Sequence, residues 1–160
     1  MSNFISRLSP YYDSNGLPWC LAQFKTGVKN GDFKRYFNYH NVDYLTCEGC
    51  FQNNKKAGLF RNRSYLRDNE KQILRERREE FYDNEGKLDW YILYKYKEGH
   101  IQRATTYKIN TKEQRWEAFN RIIYHNNGKF GELNVHREIP RGKVCFSEDG
   151  CIDSIDISYS

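Results

Sequence analysis

Hydrophobic and polar residues alternate along much of this chain, most regularly between residues 88 and 109. Two alternating runs, Leu88–Lys97 and residues 101–109, are joined by a Glu-Gly pair. Successive side chains of a strand point to opposite faces, so a period of two indicates half-buried strands. The two runs therefore predict a long antiparallel hairpin, in which the face that carries Trp90 and Tyr94 is buried.

Short strands are also predicted on either side of this hairpin. Residues 1–67 lack helical periodicity and contain turn signals at Asn15-Gly16 and Asn30-Gly31. Strands are predicted in this part at residues 19–25, 33–39, 42–46 and 59–61.

The C-terminal end of the chain predicts a closing hairpin, formed by residues 144–146 and 152–159. Alternation along its second strand places Ile155 and Ile157 toward the interior and Asp156 toward solvent. No internal repeat is recognised along the chain.

Two segments predict helices. Asp68 is a suitable N-cap for a helix over residues 69–83, where opposite charges recur three or four residues apart. Because its apolar residues form a narrow stripe, this helix is expected to be largely exposed. Thr111 and Gln114 form a capping box for a second helix over residues 112–126, whose wider apolar face is expected to pack inward.

These elements together predict an α+β fold with a mainly antiparallel sheet, one exposed charged helix at 69–83 and one packed helix at 112–126. The 160 residues suit a single domain. Within it, two lobes at 1–67 and 88–160 would be joined by the first helix.

The net charge of +5 favours a polyanionic partner, but the charge is unevenly distributed. Residues 144–160 contain four acidic residues and no Lys or Arg. The 26 aromatic residues implied by 13 Tyr, 10 Phe and 3 Trp are available both for a core and for a binding surface. Nucleic acid is the partner that this combination of cations and rings favours.

The predicted nucleic-acid site consists of two basic and aromatic patches on strands, where cations would contact phosphates and rings would stack on bases. The first patch lies in residues 33–40 and the second in the hairpin of residues 88–109. The predicted contacts are Lys34, Arg35, Tyr36 and Tyr39 in the first patch and Lys95, Lys97 and Arg103 in the second.

Two alternatives stay open. The first is a protein-binding module, or an inhibitor of a host or nucleic-acid-processing enzyme, whose acidic C-terminal hairpin imitates phosphate. The second is a small nuclease that needs no metal and uses His40, His100, His125 or His136 with a Lys or Arg. No established catalytic motif supports the second alternative, so no catalytic residue is assigned.

The cysteines allow one cofactor hypothesis, a structural zinc. Cys47 and Cys50 have the spacing of a metal-binding pair, and Cys145 and Cys151 would have to supply the other two ligands. The competing hypothesis is that all of them are reduced thiols that pack as small hydrophobic groups. Apart from this zinc, no cofactor is expected.

An intracellular, reducing location is expected, since the five cysteines are not accompanied by an apolar stretch typical of a secretion signal or a membrane span. We therefore expect no membrane partner. The abundance of Asn, Lys, Tyr and Ile is typical of accessory proteins encoded by AT-rich genomes, such as those of phages or other mobile elements.

Overall fold

All regular structure in the described part of the chain is β-strand, so the predicted α+β class is wrong. The computed structural model describes residues 7–12, 18–25, 28–136 and 141–159, with only the backbone of the first two segments. The strands are β1 (Arg7–Tyr12), β2 (Pro18–Lys25), β3 (Val28–Tyr39), β4 (Val42–Gln52), β5 (Lys55–Asp68), β6 (Lys71–Tyr82), β7 (Leu88–Lys97), β8 (His100–Asn110), β9 (Arg115–Tyr124), β10 (Phe130–Val135), β11 (Arg141–Phe146) and β12 (Ile152–Ser158).

The order of the strands in the sheet follows their order in the chain, from β1 to β12. Strands joined by short turns run antiparallel, as in the pairs β3 with β4 and β7 with β8. The chain divides into two compact units, which we describe separately. Unit 1 comprises Met1–Ile73 and Glu79–Asp89, and unit 2 comprises Leu74–Arg78 and Trp90–Ser160.

The helix predicted at 69–83 is instead strand β6, because its charged residues have partners on neighbouring strands. In unit 1, Glu79 accepts a hydrogen bond from Nε of Arg61 at 3.2 Å. In unit 2, Lys95 Nζ lies 3.7 Å from Glu76, and the guanidinium of Arg78 lies 3.9 Å from the ring centroid of Tyr91. These cross-strand contacts outweigh the helix propensity of the segment, which is a weak preference.

The helix predicted at 112–126 is strand β9, preceded by a turn that contains both residues of the expected capping box. Asn110 begins this turn, because its side-chain oxygen accepts hydrogen bonds from the amides of Lys112 and Glu113. Gln114 has a positive φ of 52°, and Nε2 of its side chain donates to the backbone carbonyl of Thr111 at 2.8 Å. The polar residues that favour a helix N-terminus therefore close a hairpin here.

The predicted hairpins at 88–109 and 144–159 are confirmed, with Tyr94 opposite Ala104 and Val144 opposite Ile155. The expectation of a single buried face in the first hairpin is wrong. Ala104 is 5% exposed and its neighbour Thr105, on the other face, is 3% exposed. Asn30-Gly31 lies inside β3, and the turn expected at Asn15-Gly16 lies outside the described residues.

A five-residue turn occurs three times, although no internal repeat was predicted from the sequence. In residues 83–87, 125–129 and 147–151 the first amide donates to the fifth carbonyl at 2.9 Å. The amide of the fourth residue, always glycine, donates back to the first carbonyl at 2.9–3.0 Å. These glycines, Gly86, Gly128 and Gly150, have φ between 81° and 94°, which explains why each turn requires glycine.

The best-buried side chain of unit 1 is Phe60, with no exposed surface. Its ring lies directly over Gly49, on the neighbouring strand β4. The rings of Phe33, Phe51 and Tyr82 surround it at centroid distances of 5.3–6.5 Å. An aromatic ring that covers a glycine on the neighbouring strand shields the backbone of the sheet from water. We call these rings, Phe33, Phe51, Phe60 and Tyr82, the Phe60 cluster.

Replacing Gly49 by alanine is expected to destabilise the protein, because the added Cβ would lie 2.5–2.6 Å from the ring atoms of Phe60. Overpacking of this kind costs about 1–3 kcal/mol. Urea unfolding of Gly49→Ala would measure the loss. The matched control is Gly142→Ala, whose Cβ would meet its nearest atom at 3.5 Å. Equal stability of the two variants would contradict this account of the Phe60 cluster.

Candidate protein-binding surface

The first predicted nucleic-acid patch lies on β3 in unit 1, and its members do not share one face. Lys34 and Arg35 are both exposed, but they are consecutive in the strand and therefore point to opposite sides. Tyr36 and Tyr39 are half-buried. The guanidinium of Arg67 lies 5.6 Å from the Tyr39 ring centroid, so this ring already has a cationic neighbour.

Glu48 reduces the positive charge of this patch, because it lies directly opposite Lys34 in the sheet. Its carboxylate accepts a hydrogen bond from Arg63 at 2.7 Å and lies 3.6 Å from Arg61. The hydrogen bond from Arg63 holds the pKa of Glu48 below its ordinary value, although partial burial acts in the opposite direction. Glu48, Lys34, Arg61 and Arg63 thus form a charge cluster, in which the carboxylate offsets part of the positive charge.

The second predicted patch lies in unit 2, on β7 and β8. Lys95 stands directly opposite Arg103, so these two cations share a face. The ammonium of Lys95 lies 3.7 Å from Glu76, which offsets one of the two charges. Lys97 is exposed near the end of its strand, opposite His100. Of the three residues predicted for this patch, the structure therefore places Lys95 and Arg103 side by side.

The cysteines proposed as zinc ligands lie in both units. Cys47 and Cys50 are in the middle of β4, where three residues span about 10 Å of extended chain. Cys47 is buried and Cys50 is exposed, so their thiols do not converge as a chelating pair. Cys145 and Cys151 belong to unit 2. Among the residues that the structure describes, no group of three His, Cys, Asp or Glu is placed to hold a metal.

Two of the four histidines considered for nuclease chemistry line the same cavity of unit 2. This cavity, of about 230 Å³, is lined by His100, His125 and Lys97 among others. Nε2 of His125 lies 2.7 Å from the carbonyl oxygen of Phe146, so one ring nitrogen is engaged by the backbone. His40, in contrast, lies in the exposed turn after β3.

A continuous row of apolar residues crosses unit 2 on one face. Direct cross-strand pairing links one residue from each strand between β7 and β12. Residues directly opposite one another share a face of the sheet, so their side chains lie side by side. This apolar row consists of Tyr94, Ala104, Ile122, Leu133, Val144 and Ile155.

The side chain at the β12 end of the apolar row is far more exposed than that on β8. The predicted burial of Ile155 and Ile157 is therefore wrong. Ala104 is 5% exposed, whereas Ile155 is 55% exposed. Its neighbours along the strand, Ile152 and Ile157, are 61% and 54% exposed. A shallow groove of about 190 Å³ is lined by Val144, Ile155 and Ile157, among others. We call the exposed set Ile152, Ile155, Ile157 and Tyr159 the β12 apolar surface.

The opposite face of the same strands is polar. Lys143 Nζ lies 2.8 Å from the carboxylate of Glu132, which also accepts a hydrogen bond from Asn134. The hydrogen bond from Asn134 has the larger effect and that from Lys143 the smaller, and together they hold the pKa of Glu132 below its ordinary value. Asp156 stands directly opposite Lys143. Lys143 is therefore the neighbouring cation of two carboxylates, those of Glu132 and Asp156.

The turns beside the β12 apolar surface are bonded to each other. Nζ of Lys129 donates to the carbonyl of Asp149, and Nδ2 of Asn127 donates to the carbonyl of Glu148, both at 2.8 Å. Two copies of the repeated turn are thereby joined side by side. This fixes the hairpin from which β12 begins.

Sequence comparison does not assign a family to this chain, since no family model matches it and no curated protein matches it. Its fold has a weak likeness to part of a chain in a structure titled "Crystal structure of GtfA/B complex bound to UDP and GlcNAc", with 12% sequence identity and a TM-score of 0.32. The likeness covers 99% of this chain and 29% of that chain. A likeness of this size carries no inference about function.

No helix in the described part of the chain is long and apolar enough to cross a membrane.

Glu48→Gln tests the charge cluster on β4 through its pH dependence. A carboxylate whose pKa is lowered by folding stabilises the protein above its unfolded pKa, and the stabilisation is lost as pH falls through the folded pKa. At pH 7 we expect the variant to be less stable by about 0.5–1 kcal/mol. The difference should shrink below about pH 4.3, the ordinary pKa of Glu.

Chemical denaturation between neutral and acidic pH would measure this difference. Glu70→Gln, in the exposed turn between β5 and β6, is the matched control and is expected to change stability by less than about 0.5 kcal/mol. A Glu48→Gln difference that stays constant with pH would contradict the role assigned to the Arg63 hydrogen bond.

Proposed function

We propose that the protein is a protein-binding module whose partner covers the β12 apolar surface. The observation that carries this proposal is the exposure, at 54–75%, of three isoleucines in one strand, Ile152, Ile155 and Ile157, and of Tyr159 just after it. Single exposed apolar residues are ordinary, but a contiguous group marks an interaction surface.

The surroundings of this surface favour a protein as the partner. The β12 apolar surface continues the apolar row, because Ile155 belongs to both and is paired with Val144. Nearby acidic residues, Glu148, Asp149 and Asp153, disfavour an approaching phosphate backbone. An apolar centre with a polar edge is typical of protein interfaces.

Replacing Ile155 and Ile157 by serine is expected to remove partner binding, because the variant loses the apolar area that the partner covers. The matched control replaces Ser154 and Ser158, on the other face of β12, by alanine. We expect covalent capture from cells followed by mass spectrometry to recover the same protein with wild type and control, and about ten-fold less with the isoleucine variant. Circular dichroism would confirm that all three fold.

Equal capture by the wild type and the isoleucine variant would contradict the proposed surface. Failure of the wild type to capture any protein would contradict the proposed function itself.

Nucleic-acid binding is our second proposal, supported by the exposure of Lys34, Arg35 and Lys97. If these side chains contact phosphates, affinity for single-stranded DNA or RNA falls steeply with salt. Gel shifts at two salt concentrations would measure this. We expect Lys34→Gln with Arg35→Gln to weaken binding, with Lys87→Gln, at an exposed position, as the control. Binding that is absent or independent of salt would contradict this proposal.

A reducing, intracellular setting is part of the main proposal. Cys50 and Cys151 are free and exposed. Exposed free thiols persist in reducing compartments and are oxidised outside them.

A further inference from the structure

Strand β12 lies at the end of the strand order, and among the described strands it pairs only with β11. Six residue pairs join the two strands, from Arg141 with Ser158 to Phe146 with Ile152. In an antiparallel strand, hydrogen-bonding groups point alternately to each side. Between Ile152 and Ile157, about half of the backbone N–H and C=O groups therefore point away from β11, where they need water or another strand.

Proline and lysine, two common protections of an edge strand, are absent from β12, and the one irregularity in its pairing with β11 lies near its first residue, where Phe146 pairs with Ile152 and Cys145 with Ser154. Natural edge strands are commonly protected by proline, by lysine, or by being very short. The strand β1, at the other end of the strand order, contains Pro10, which lacks the N–H that a further strand would need. β12 is seven residues long and contains neither proline nor lysine.

The two faces of β12 differ in a way that specifies what can lie beside it. Ile155 and Ile157 are on the face of the apolar row and are more than half exposed. Asp156 is on the polar face, where its cross-strand neighbour Lys143 is already bonded to Glu132. A strand added beside β12 would place apolar side chains next to the isoleucines and would gain most from a cation next to Asp156.

We propose that β12 accepts an extended segment of a partner protein as an additional strand, and that this segment alternates apolar with basic side chains. The inference deepens the proposed function and rests on it. In this mode of recognition the backbone hydrogen bonds supply affinity, and the alternating side chains supply specificity.

Charge argues against a second copy of β12 as the occupant. Each β12 carries Asp153 and Asp156 and no cation, and the preceding turn adds Glu148 and Asp149. Two such edges side by side bring like charges together, which is unfavourable for cross-strand neighbours. A basic segment has the complementary charge.

The test uses a peptide of about nine residues that alternates valine with lysine, long enough to span β12. Two matched controls are used. The first alternates valine with glutamate. The second has the same composition as the valine–lysine peptide, but its valines and lysines are in separate blocks. Binding of each to the full chain would be measured by calorimetry. Hydrogen exchange of the β12 amides would be measured with and without peptide.

We expect the valine–lysine peptide to bind about ten-fold more tightly than either control and to slow exchange of the outward-pointing β12 amides by about ten-fold or more. Asp153→Lys with Asp156→Lys should reverse the preference toward the valine–glutamate peptide. This reversal depends on charge beside β12, and a general loss of folding would not produce it.

The inference is overturned if none of the peptides binds, if binding leaves the β12 amides unprotected, or if the charge reversal does not change the preference. Amides already protected in a dimer without peptide would assign the edge to a second copy and would also overturn it. None of these outcomes alters the capture experiment with the isoleucine variant, so failure of strand addition is distinguishable from failure of the proposed function.

Discussion

Contacts between side chains on neighbouring strands are the interaction on which the described structure depends. A sheet strand exposes two faces, and in this protein rings and long cations on adjacent strands cover each other. Lys56 shows the pattern, because its ammonium lies 4.9 Å from the ring centroids of both Phe60 and Tyr82 and 3.6 Å from Glu80. Each cation–π contact of this kind contributes about 0.5–1 kcal/mol when exposed, so the set matters more than any member. Among the residues whose side chains the structure describes, few are buried, and Phe60 is the largest that is fully buried.

The same constraint explains why two cations of the predicted nucleic-acid patches have acidic neighbours. A cation in a strand is within reach of a neighbour on each side, so Lys95 lies beside Glu76 and Lys34 stands opposite Glu48. At β12, among the described strands, a neighbour lies on one side and none on the other. Ile155 has Val144 on one side and solvent on the other, which accounts for its exposure.

Strands with a clear period of two could be predicted from the sequence, whereas the highly charged strand β6 was wrongly predicted to be a helix. Leu88–Lys97 was predicted with its observed bounds because each face repeats over ten residues and Glu98-Gly99 provides the turn. In 69–83, charges three or four apart also satisfy strand pairing, since the partners of Glu76 and Glu79 are on other strands. The sequence contains no local sign of those partners. For the candidate surface, the alternation of Ile and Asp after residue 151 was recognised, but exposure depends on what lies beside the strand.

Repetition adds a reason to expect a partner at β12. The turn of residues 83–87 recurs at 125–129 and 147–151 with the same hydrogen bonds, so the chain uses one hairpin design several times. In repetitive architectures each unit covers the apolar face of its neighbour. β12 follows a copy of this turn, and its Ile155 and Ile157 are more than half exposed. Only a further strand continues both the apolar row and the backbone pairing, and one that carries basic side chains also matches the charge of Asp156.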